Sequence, residues 1–218
     1  DAALFDLGKV LLDWDPRYYY ARHFPDDPAG LERFVGTVVD GNWIKRMDAG
    51  LPAAEAIRLR QAEFPADAPL IALWSEGWPQ MLRGEIAGTA HIVHALKRAG
   101  KRLYALTNFS TETFPVAQAR CPTLRLFERT VMSGEIGLVK PDPRIYEHTT
   151  RVCALQPQST LFIDDLEVNV EAARRHGWQA LQFTGPQQLA ADLLRLGVLD
   201  GWPAGLDGRP AGLAGAAA

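Results

Sequence analysis

Four short and widely separated segments of the chain combine carboxylates with hydroxyl, amide or ammonium groups. Each follows an apolar run that predicts a β-strand. The segments are Asp6-Leu-Gly8, Thr107-Asn108, the stretch 134–143 that contains Lys140, and Asp164-Asp165 with Asn169 four residues later. Taken singly, each has an ordinary explanation as a turn, a helix cap or a solvated charge. Their order along the chain, each after a predicted strand, indicates one shared site.

Three residues of this set are carboxylates, namely Asp6, Asp164 and Asp165. Bringing three carboxylates together is costly unless a cation neutralises them. Oxygen ligands at strand ends, with water completing the coordination, suit Mg²⁺. The pattern therefore predicts a magnesium site in which one carboxylate stays free to attack as a nucleophile, because an Asp can form an acyl-phosphate.

The other polar residues fit the handling of a phosphoryl group. Thr107 can offer its hydroxyl, and Asn108 its backbone N–H, to phosphoryl oxygens. Lys140 can supply positive charge to both the nucleophile and the transferred group. Together with a metal ion, such groups stabilise charge that develops in the transition state.

The elements that must position these residues alternate between strand and helix from residue 85 onward. Predicted strands cover residues 3–6, 102–106, 129–132, 160–163 and 178–183, with a short extended stretch at 10–12. Predicted helices cover residues 89–99, 112–119, 143–155, 168–176 and 189–196. This alternation favours parallel βαβ units with helices on both faces, and ligands at the carboxyl ends of the strands. The predicted fold class is α/β, a Rossmann-like parallel sheet.

Residues 15–84 differ in character from the rest of the chain. They look helical and amphipathic, with breaks at Pro25, Pro28, Gly50-Leu-Pro52 and Pro65. We interpret them as an α-helical cap inserted into a core made of residues 1–14 and 85–200. Residues 201–218 are rich in Gly, Pro and Ala, so we expect a flexible or loosely attached tail.

Composition and charge restrict the classes of function. The chain has 218 residues, of which 47% are hydrophobic and 22% charged, as in soluble globular proteins. A net charge of −3 gives no reason to expect nucleic acid or an anionic membrane as a partner, and no apolar run could span a bilayer. Cys121 and Cys153 fit no metal or disulfide pattern, so we interpret them as free thiols of a cytoplasmic protein. The expected ligand is a small molecule, and the oligomeric state is left open.

The four segments together resemble the motifs of the haloacid dehalogenase superfamily, in its subgroup with a helical cap after the first motif. The matching stretches are Leu4-Phe-Asp-Leu-Gly-Lys-Val10, Ala105-Leu-Thr-Asn-Phe-Ser110, Val139-Lys-Pro-Asp-Pro-Arg-Ile-Tyr146 and Phe162-Ile-Asp-Asp-Leu-Glu-Val-Asn169. The chain looks most like the branch that contains bacterial sugar-phosphate phosphatases and the phosphatase domain of soluble epoxide hydrolase. The resemblance implies a Mg²⁺-dependent phosphatase acting on a small phosphorylated metabolite, with a sugar phosphate as one candidate.

The resemblance also implies a role for each matching residue. Asp6 would be the nucleophile and a metal ligand, Asp165 a direct metal ligand, and Asp164 a neighbouring ligand or one acting through water. The backbone carbonyl of Gly8 would coordinate Mg²⁺, and Asn169 would support the metal shell or the nucleophile loop. Thr107 and Asn108 would bind the phosphoryl group. Lys140 would balance its negative charge.

One position departs from the pattern of most phosphatases in the superfamily. They carry a second Asp two residues after the nucleophile, which protonates the leaving alkoxide and later activates water. Here that position is Gly8. General acid–base help is worth roughly 10²–10⁴ in rate, so we expect another group to supply it. The candidates are Asp13 and Asp15, in the segment that leads to the cap, or a residue of the cap itself. A leaving group of low pKa, such as an anomeric or acyl phosphate, would need less protonation.

Two other functions compete with phosphatase activity. Hydrolytic dehalogenation of a 2-haloacid uses the first Asp but needs neither Mg²⁺ nor the second Asp, so Gly8 is compatible with it. The Asp164-Asp165 pair opposes it, because two extra carboxylates are of no use to a halide site. The third alternative is a non-catalytic binding protein on the same fold, since fold does not determine function.

The cap of the relatives faces the active site, so cap residues are candidate substrate contacts. Trp43, Lys45, Arg46 and Arg17 are the residues considered for this role. Closure of such a cap would exclude water and order the substrate.

Overall fold

The computed structural model describes residues 1–209, and a five-stranded parallel sheet lies at its centre. The strands are β1 (Ala2–Phe5), β2 (Leu12–Trp14), β3 (Leu82–Glu85), β4 (Arg102–Thr107), β5 (Arg129–Met132), β6 (Thr160–Asp164) and β7 (Gln179–Gln182). The central sheet has the order β5-β4-β1-β6-β7, and β2 pairs with β3 in a separate antiparallel ribbon. All pairs of neighbours in the central sheet are parallel.

Twelve α-helices occur within the described residues. Those of the insertion are α1 (Arg17–Tyr20), α2 (Pro28–Arg33), α3 (Gly41–Asp48), α4 (Ala53–Glu63), α5 (Ala68–Ala72) and α6 (Trp74–Met81), with a π-helical turn at Phe34–Val38. Those of the core are α7 (Ala87–Arg98), α8 (Phe114–Arg120), α9 (Ser133–Ile136), α10 (Pro143–Val152), α11 (Glu167–Arg175) and α12 (Pro186–Arg195).

Helices cover both faces of the sheet because successive residues of each strand point to opposite sides. In β1, Leu4 packs with residues of α10 and α11, whereas Ala3 and Phe5 pack with residues of α7 and α12. The three central strands β1, β4 and β6 are nearly continuous apolar runs, as expected for strands buried on both faces, whereas the edge strands β5 and β7 carry exposed polar residues. The predicted α/β class, a parallel core sheet with a helical insertion, is confirmed.

The strand order places three polar segments side by side. Strand β1 lies between β4 and β6, with Phe5 opposite both Ala105 and Ile163. Asp6 and Asp164 therefore lie at adjacent strand ends, and Thr107 ends β4 on the other side of β1. The carboxyl edge of the sheet is thus the place where the predicted site residues meet.

The segment after Asp6 differs from the predicted extended stretch at 10–12. The backbone N–H groups of Leu11 and Leu12 both donate to the Leu7 carbonyl, which closes a tight turn. Lys9 takes a left-handed conformation in this turn, with φ 61°. The chain becomes extended only at Leu12, where β2 pairs with β3, a strand that the sequence did not predict. The resulting ribbon forms the entry to and the exit from the helical insertion.

Aromatic side chains fill the interior of the insertion. The ring of Trp43 lies 4.7 Å from that of Trp74, and Tyr20 lies 4.7 Å from Phe34. These rings are buried together with apolar residues of the core in one continuous cluster. The insertion is therefore packed onto the core.

The expected loose tail lies partly outside the described residues, because 210–218 fall beyond them. In its described part, Leu206 is buried and Trp202 packs against the core, with the indole N–H donating to the Leu206 carbonyl. This part is attached because it carries two large apolar side chains despite its Gly and Pro content. Both cysteines are free and buried. Within residues 1–209, no helix combines the length and apolarity needed to cross a membrane.

Candidate active site

Three carboxylates converge at the carboxyl edge of the sheet. Oxygens of Asp6, Asp164 and Asp165 lie within 4.8 Å of one another. The N–H of Asp6 donates to the Ile163 carbonyl at 2.8 Å, which ties the end of β1 to β6. The predicted acidic cluster therefore forms from segments nearly 160 residues apart.

Lys140 lies beneath this cluster and is almost completely buried, with 2% of its surface exposed. Its Nζ lies 2.9 Å from Asp6 Oδ1 and 2.6 Å from Asp164 Oδ2. The two carboxylates hold it in place from adjacent strand ends. Asn108 fixes its backbone, because the side-chain amide accepts the Lys140 N–H at 2.8 Å and donates to the Lys140 carbonyl at 3.1 Å.

The electrostatics of the cluster reflect an excess of negative charge. Burial raises the pKa of Asp6, an effect that Lys140 opposes and that Asp164 and Asp165 reinforce. Burial likewise raises the pKa of Asp165, with Asp164 adding to the shift. For Lys140, burial works against the charged form, but the carboxylates outweigh it and the pKa is raised. With every group ionised, three carboxylates and one ammonium leave a charge of −2, which one divalent cation would neutralise.

The oxygens of the cluster are not equally free to bind a metal. Asp164 Oδ2 faces Lys140, and Asp164 Oδ1 accepts hydrogen bonds from the Leu166 N–H and the Asn169 amide, both at 2.9 Å. No described side chain or backbone N–H of another residue donates to the Asp165 carboxylate, and none donates to the Gly8 carbonyl. Oxygens of Asp6, Asp164 and Asp165 could together hold a hard divalent cation. Those of Asp165 and the Gly8 carbonyl are the least engaged by protein donors, whereas both oxygens of Asp164 already have partners.

Thr107 is buried next to Asn108 and does not itself line the cavity described below. Its side chain is buried at the end of β4, and its hydroxyl has no hydrogen-bond partner within residues 1–209. A buried hydroxyl without a partner is costly. An oxygen of a bound ligand would remove that cost.

A cavity opens above the acidic cluster, between the core and the insertion. Its floor includes Asp6, Gly8, Lys9, Asn108 and Asp165. Its walls are largely apolar and come from the ribbon, the insertion and the loop after β4: Leu12, Trp14, Ile44, Trp78, Leu82 and Phe109. Apart from Asp48 and Thr113, the side chains above the floor are apolar.

Asp48, the last residue of α3, lines the same cavity as Asp6. Its local sequence gives no functional signal, because a single acid after Lys45-Arg46-Met47 looks like part of a solvated helix face. Burial raises the pKa of Asp48 to about 7, the charge of Asp6 adds to the shift, and the backbone N–H of Ser110 opposes it. Only its position in the tertiary structure distinguishes this residue.

The cap residues proposed from the sequence as substrate contacts do not line this cavity. Trp43 is buried inside the insertion, where its indole N–H donates to the Ala56 carbonyl at 3.1 Å. Arg17 forms ion pairs with Asp15 and Glu32. Lys45 and Arg46 are also absent from the lining. For the residues of α3 the expectation was wrong because the apolar face of that helix, rather than its basic face, turns towards the core. For Arg17, on α1, it was wrong because acidic side chains engage the guanidinium.

Asp13 and Asp15, the candidates for the missing acid–base group, are also outside the lining. Asp13 accepts the Tyr18 hydroxyl at 2.6 Å. Asp15 accepts the backbone N–H of Arg17 at 2.8 Å and pairs with its guanidinium. Both carboxylates therefore stabilise the start of the insertion.

Comparison with known families gives a match over most of the chain. The sequence model of the haloacid dehalogenase-like hydrolases matches residues 1–177. Among characterised relatives, the sesquiterpene phosphatase astK of Aspergillus oryzae is 25% identical over 196 residues, covering 89% of this chain and 95% of that protein.

Solved structures share the fold. A HAD family enzyme of Bacteroides thetaiotaomicron, solved with magnesium and inorganic phosphate, has a TM-score of 0.61 at 22% identity and covers 84% of this chain and 93% of that one. An L-2-haloacid dehalogenase has a TM-score of 0.59 at 24% identity, covering 84% and 83% of the two chains. Because both structures are less than 25% identical to this chain, their similarity shows a shared fold and nothing more.

Proposed function

Because the chain belongs to the haloacid dehalogenase-like hydrolases, we propose that it is a Mg²⁺-dependent phosphatase that forms an aspartyl-phosphate on Asp6. One observation carries this choice within the family. Three carboxylates meet around a single buried ammonium and leave a charge of −2. A site of this charge suits a divalent cation and a phosphate ester, whose oxygens bind to the cation.

In such a reaction each of these residues would have a distinct role. The Asp6 carboxylate attacks phosphorus, while Lys140 holds one of its oxygens and orients the other. Thr107 donates its unpartnered hydroxyl to a phosphoryl oxygen, and Asn108 secures the Lys140 backbone and offers its own N–H. Water then attacks phosphorus, the bond to Asp6 breaks, and phosphate leaves.

Asp6, Asp165 and the Gly8 carbonyl would hold the Mg²⁺, and Asn169 would support the site by fixing Asp164. The ion would supply charge neutralisation for the phosphoryl oxygens. The Bacteroides enzyme of the same fold binds magnesium and inorganic phosphate, which supports this assignment.

Dehalogenation is the less favourable alternative. A chloride ion leaving next to Asp164 and Asp165 would meet two further negative charges, which repel it. The absent acid at Gly8 is compatible with both reactions, so it favours neither.

We infer further that the alcohol part of the substrate is apolar. The aromatic rings of Trp14 and Trp78 lie 6.4 Å apart, and that of Phe109 lies 5.8 Å from Trp78, so they form a continuous wall. A second cavity adjoins this one and shares Ile44, Asp48, Trp78 and Thr113 with it, so a longer chain could extend beneath the insertion. Sugar hydroxyls would meet few hydrogen-bonding groups here, whereas the relative named as a sesquiterpene phosphatase has an apolar substrate class.

The reaction is tested by p-nitrophenyl phosphate turnover with and without Mg²⁺, beside chloride release from 2-chloropropionate. We expect turnover of the phosphate only, and only with Mg²⁺. Asp6→Asn should lower it by about 10³-fold or more, because the nucleophile is lost, whereas the exposed Asp26→Asn should not change it. Acid quenching should trap phosphate on the wild-type protein. Chloride release without Mg²⁺ would support the dehalogenase instead.

The substrate class is tested by comparing farnesyl phosphate with glucose 6-phosphate. We expect a higher kcat/KM for farnesyl phosphate. Trp78→Ala should reduce that value by about tenfold or more, since loss of an aromatic wall removes over 1 kcal/mol of apolar contact. The kcat/KM for p-nitrophenyl phosphate should fall less. A preference for the sugar phosphate would contradict the apolar assignment while leaving the phosphatase assignment intact.

A further inference from the structure

The proposed phosphatase reaction needs a proton donor for the leaving alkoxide and a proton acceptor for the attacking water. Gly8 supplies neither, and Asp13 and Asp15 lie outside the cavity, each with a carboxylate oxygen in a hydrogen bond. The group that acts must lie above the nucleophile, on the side where the alcohol part of the substrate enters.

Asp48 is the carboxylate in that position. It lines the cavity together with Asp6, and it also lines the adjoining cavity beneath the insertion. It therefore lies at the junction between the acidic floor and the apolar walls, where the ester oxygen of a bound substrate would lie. Within residues 1–209 no Lys or Arg side chain forms an ion pair with it.

Two contacts fix the backbone around Asp48 relative to the core. The hydroxyl of Ser133 donates to its backbone carbonyl at 2.5 Å. Two residues later, a Cβ at Gly50 would lie 3.5 Å from the Gly134 carbonyl, so the end of α3 rests on the core. Although Asp48 belongs to the insertion, it is held by the segment that follows β5.

We propose that Asp48 is the general acid and then the general base of the reaction at Asp6, in place of the side chain that Gly8 lacks. This proposal rests on the phosphatase function proposed above.

The surroundings of Asp48 suit both roles. Burial raises its pKa to about 7, and the negative charge of Asp6 adds to the shift. The Ser110 N–H and the Lys140 ammonium oppose it. The acid and its conjugate base are then both populated near neutral pH, which is the condition for efficient proton transfer in each direction.

The protons balance over the two steps. In the first, an Asp6 oxygen bonds to phosphorus, the bond from phosphorus to the ester oxygen breaks, and the Asp48 carboxylic acid gives its proton to the departing alkoxide. In the second, the Asp48 carboxylate takes a proton from water as the water oxygen attacks phosphorus. The bond to Asp6 breaks, phosphate leaves, and Asp48 is again protonated.

The test compares two esters in Asp48→Asn in the presence of Mg²⁺. Benzyl phosphate has a poor leaving group that needs protonation, so its kcat/KM should fall by about 10²–10⁴-fold. The nitrophenolate of p-nitrophenyl phosphate leaves without a proton, so the first step should persist and the second should slow. Rapid mixing should therefore give a burst of about one nitrophenolate per protein, followed by slow turnover. Asp13→Asn and Asp15→Asn should retain turnover of both esters.

Gly8→Asp provides a rescue, because a Cβ built at Gly8 meets nothing within 4 Å. In the Asp48→Asn background it should restore benzyl phosphate turnover by at least about tenfold, a gain expected of a recovered acid–base group. If Asp48 acts only by holding the insertion on the core, the burst is lost as well and Gly8→Asp restores nothing, which overturns the proposal. Unchanged turnover in a folded Asp48→Asn also overturns it. A wild-type protein without Mg²⁺-dependent turnover instead refutes the phosphatase function itself, and this proposal with it.

Discussion

Lys140 is the residue on which the stability of the buried carboxylates depends. Its ammonium bridges Asp6 and Asp164, which come from adjacent strand ends and would otherwise face each other unpaired. A compact ammonium on a flexible stem can contact two carboxylates from below, whereas a planar guanidinium suits a single carboxylate. Removing one member of a buried ion pair lowers the free energy of unfolding by far more than the intact pair contributes to it, because the partner charge remains buried without compensation.

Lys140→Met should therefore destabilise the protein by about 3–5 kcal/mol in the absence of divalent ions. Urea denaturation measures the change. Lys101→Met is the matched control, since its partner Asp1 is exposed and such pairs contribute about 0–1 kcal/mol. Added Mg²⁺ should recover part of the loss, because the cation replaces some of the missing positive charge. Equal effects of the two substitutions would contradict this account.

The titration of Asp48 predicts a pH dependence of stability. Its pKa in the folded protein is about 7 and its ordinary value is 3.8, so the folded state binds the proton more tightly. The protonated Asp48 carboxyl therefore contributes to the stability of the folded protein below about pH 4, and this contribution is lost as the pH rises through about 7. In EDTA, the free energy of unfolding of the wild type should fall between pH 5 and pH 8, and that of Asp48→Asn should fall less. Asp26→Asn, at an exposed position, should behave like the wild type. An unchanged slope in Asp48→Asn would mean that its carboxyl titrates normally.

At the scale of elements, the site depends on the close approach of two loops. The Ser133 hydroxyl accepts the Phe109 N–H at 3.0 Å and also donates to Asp48. A Cβ built at Gly134 would lie 2.7 Å from the Phe109 carbonyl, so only a glycine fits there. The loop after β4, the start of α9 and the end of α3 are thereby held together. Asn108, next to Phe109 in that loop, and Asp48 at the end of α3 therefore share one support.

Gly134→Ala should push the loop after β4 away from α9, because the clash is with backbone rather than with a flexible side chain. We expect a loss of about 1–3 kcal/mol in stability, typical of overpacking. The kcat/KM for p-nitrophenyl phosphate should fall by about tenfold or more, since small displacements of reacting groups are costly. Gly36→Ala, in an exposed helical turn with no atom near the added Cβ, should be neutral or slightly stabilising. Wild-type turnover in Gly134→Ala would show that the loop tolerates the shift.

At the scale of the whole molecule, the charge of the site is coupled to folding. The acidic cluster is assembled from β1 and β6 only in the folded state, so a cation that binds it stabilises that state. The apolar cluster on one face of the sheet continues through the insertion and reaches the described end of the chain at Leu206. Site, insertion and C-terminal segment therefore depend on one another through packing.

Mg²⁺ should raise the melting temperature. At about 100 times its dissociation constant, the ion adds about 2.7 kcal/mol, which corresponds to about 5–10 °C for a chain of this size. Asp165→Asn should lose most of this shift, because it removes a carboxylate with free oxygens. Asp200→Asn, an exposed control, should keep it, and NaCl at the same ionic strength should not reproduce it. A shift that persists in Asp165→Asn would place the ion elsewhere.

The packing of the C-terminal segment gives a separate prediction. Leu206→Ala should cost about 2 kcal/mol or more, because Leu206 is buried against α7, where a Cβ at Gly88 would lie 2.9 Å from it. Leu196→Ala should cost less than about 0.5 kcal/mol, since that side chain is 40% exposed. Thermal denaturation of both variants measures the difference. Similar stabilities would support the loose tail expected from composition.

Local sequence patterns were sufficient for the fold class and for the acidic cluster. Apolar runs that end in Asp6, Thr107 or Asp164 indicate strands, and parallel strands bring their carboxyl ends to one edge. The type and order of these residues therefore predicted which of them would meet. Lys140 was predicted as well, because its segment follows β5 in the same alternation.

The tertiary structure alone decided what lies above that edge. The insertion could turn its basic residues or its apolar residues towards the core, and helical periodicity does not say which partner a face will meet. Packing selected Trp78 and Ile44 as walls, left Arg17 in surface ion pairs, and brought Asp48 into the cavity with Asp6. Such contacts form between residues that are distant in sequence, and they depend on how side chains of particular shapes pack together. A local pattern of residue types does not contain that information.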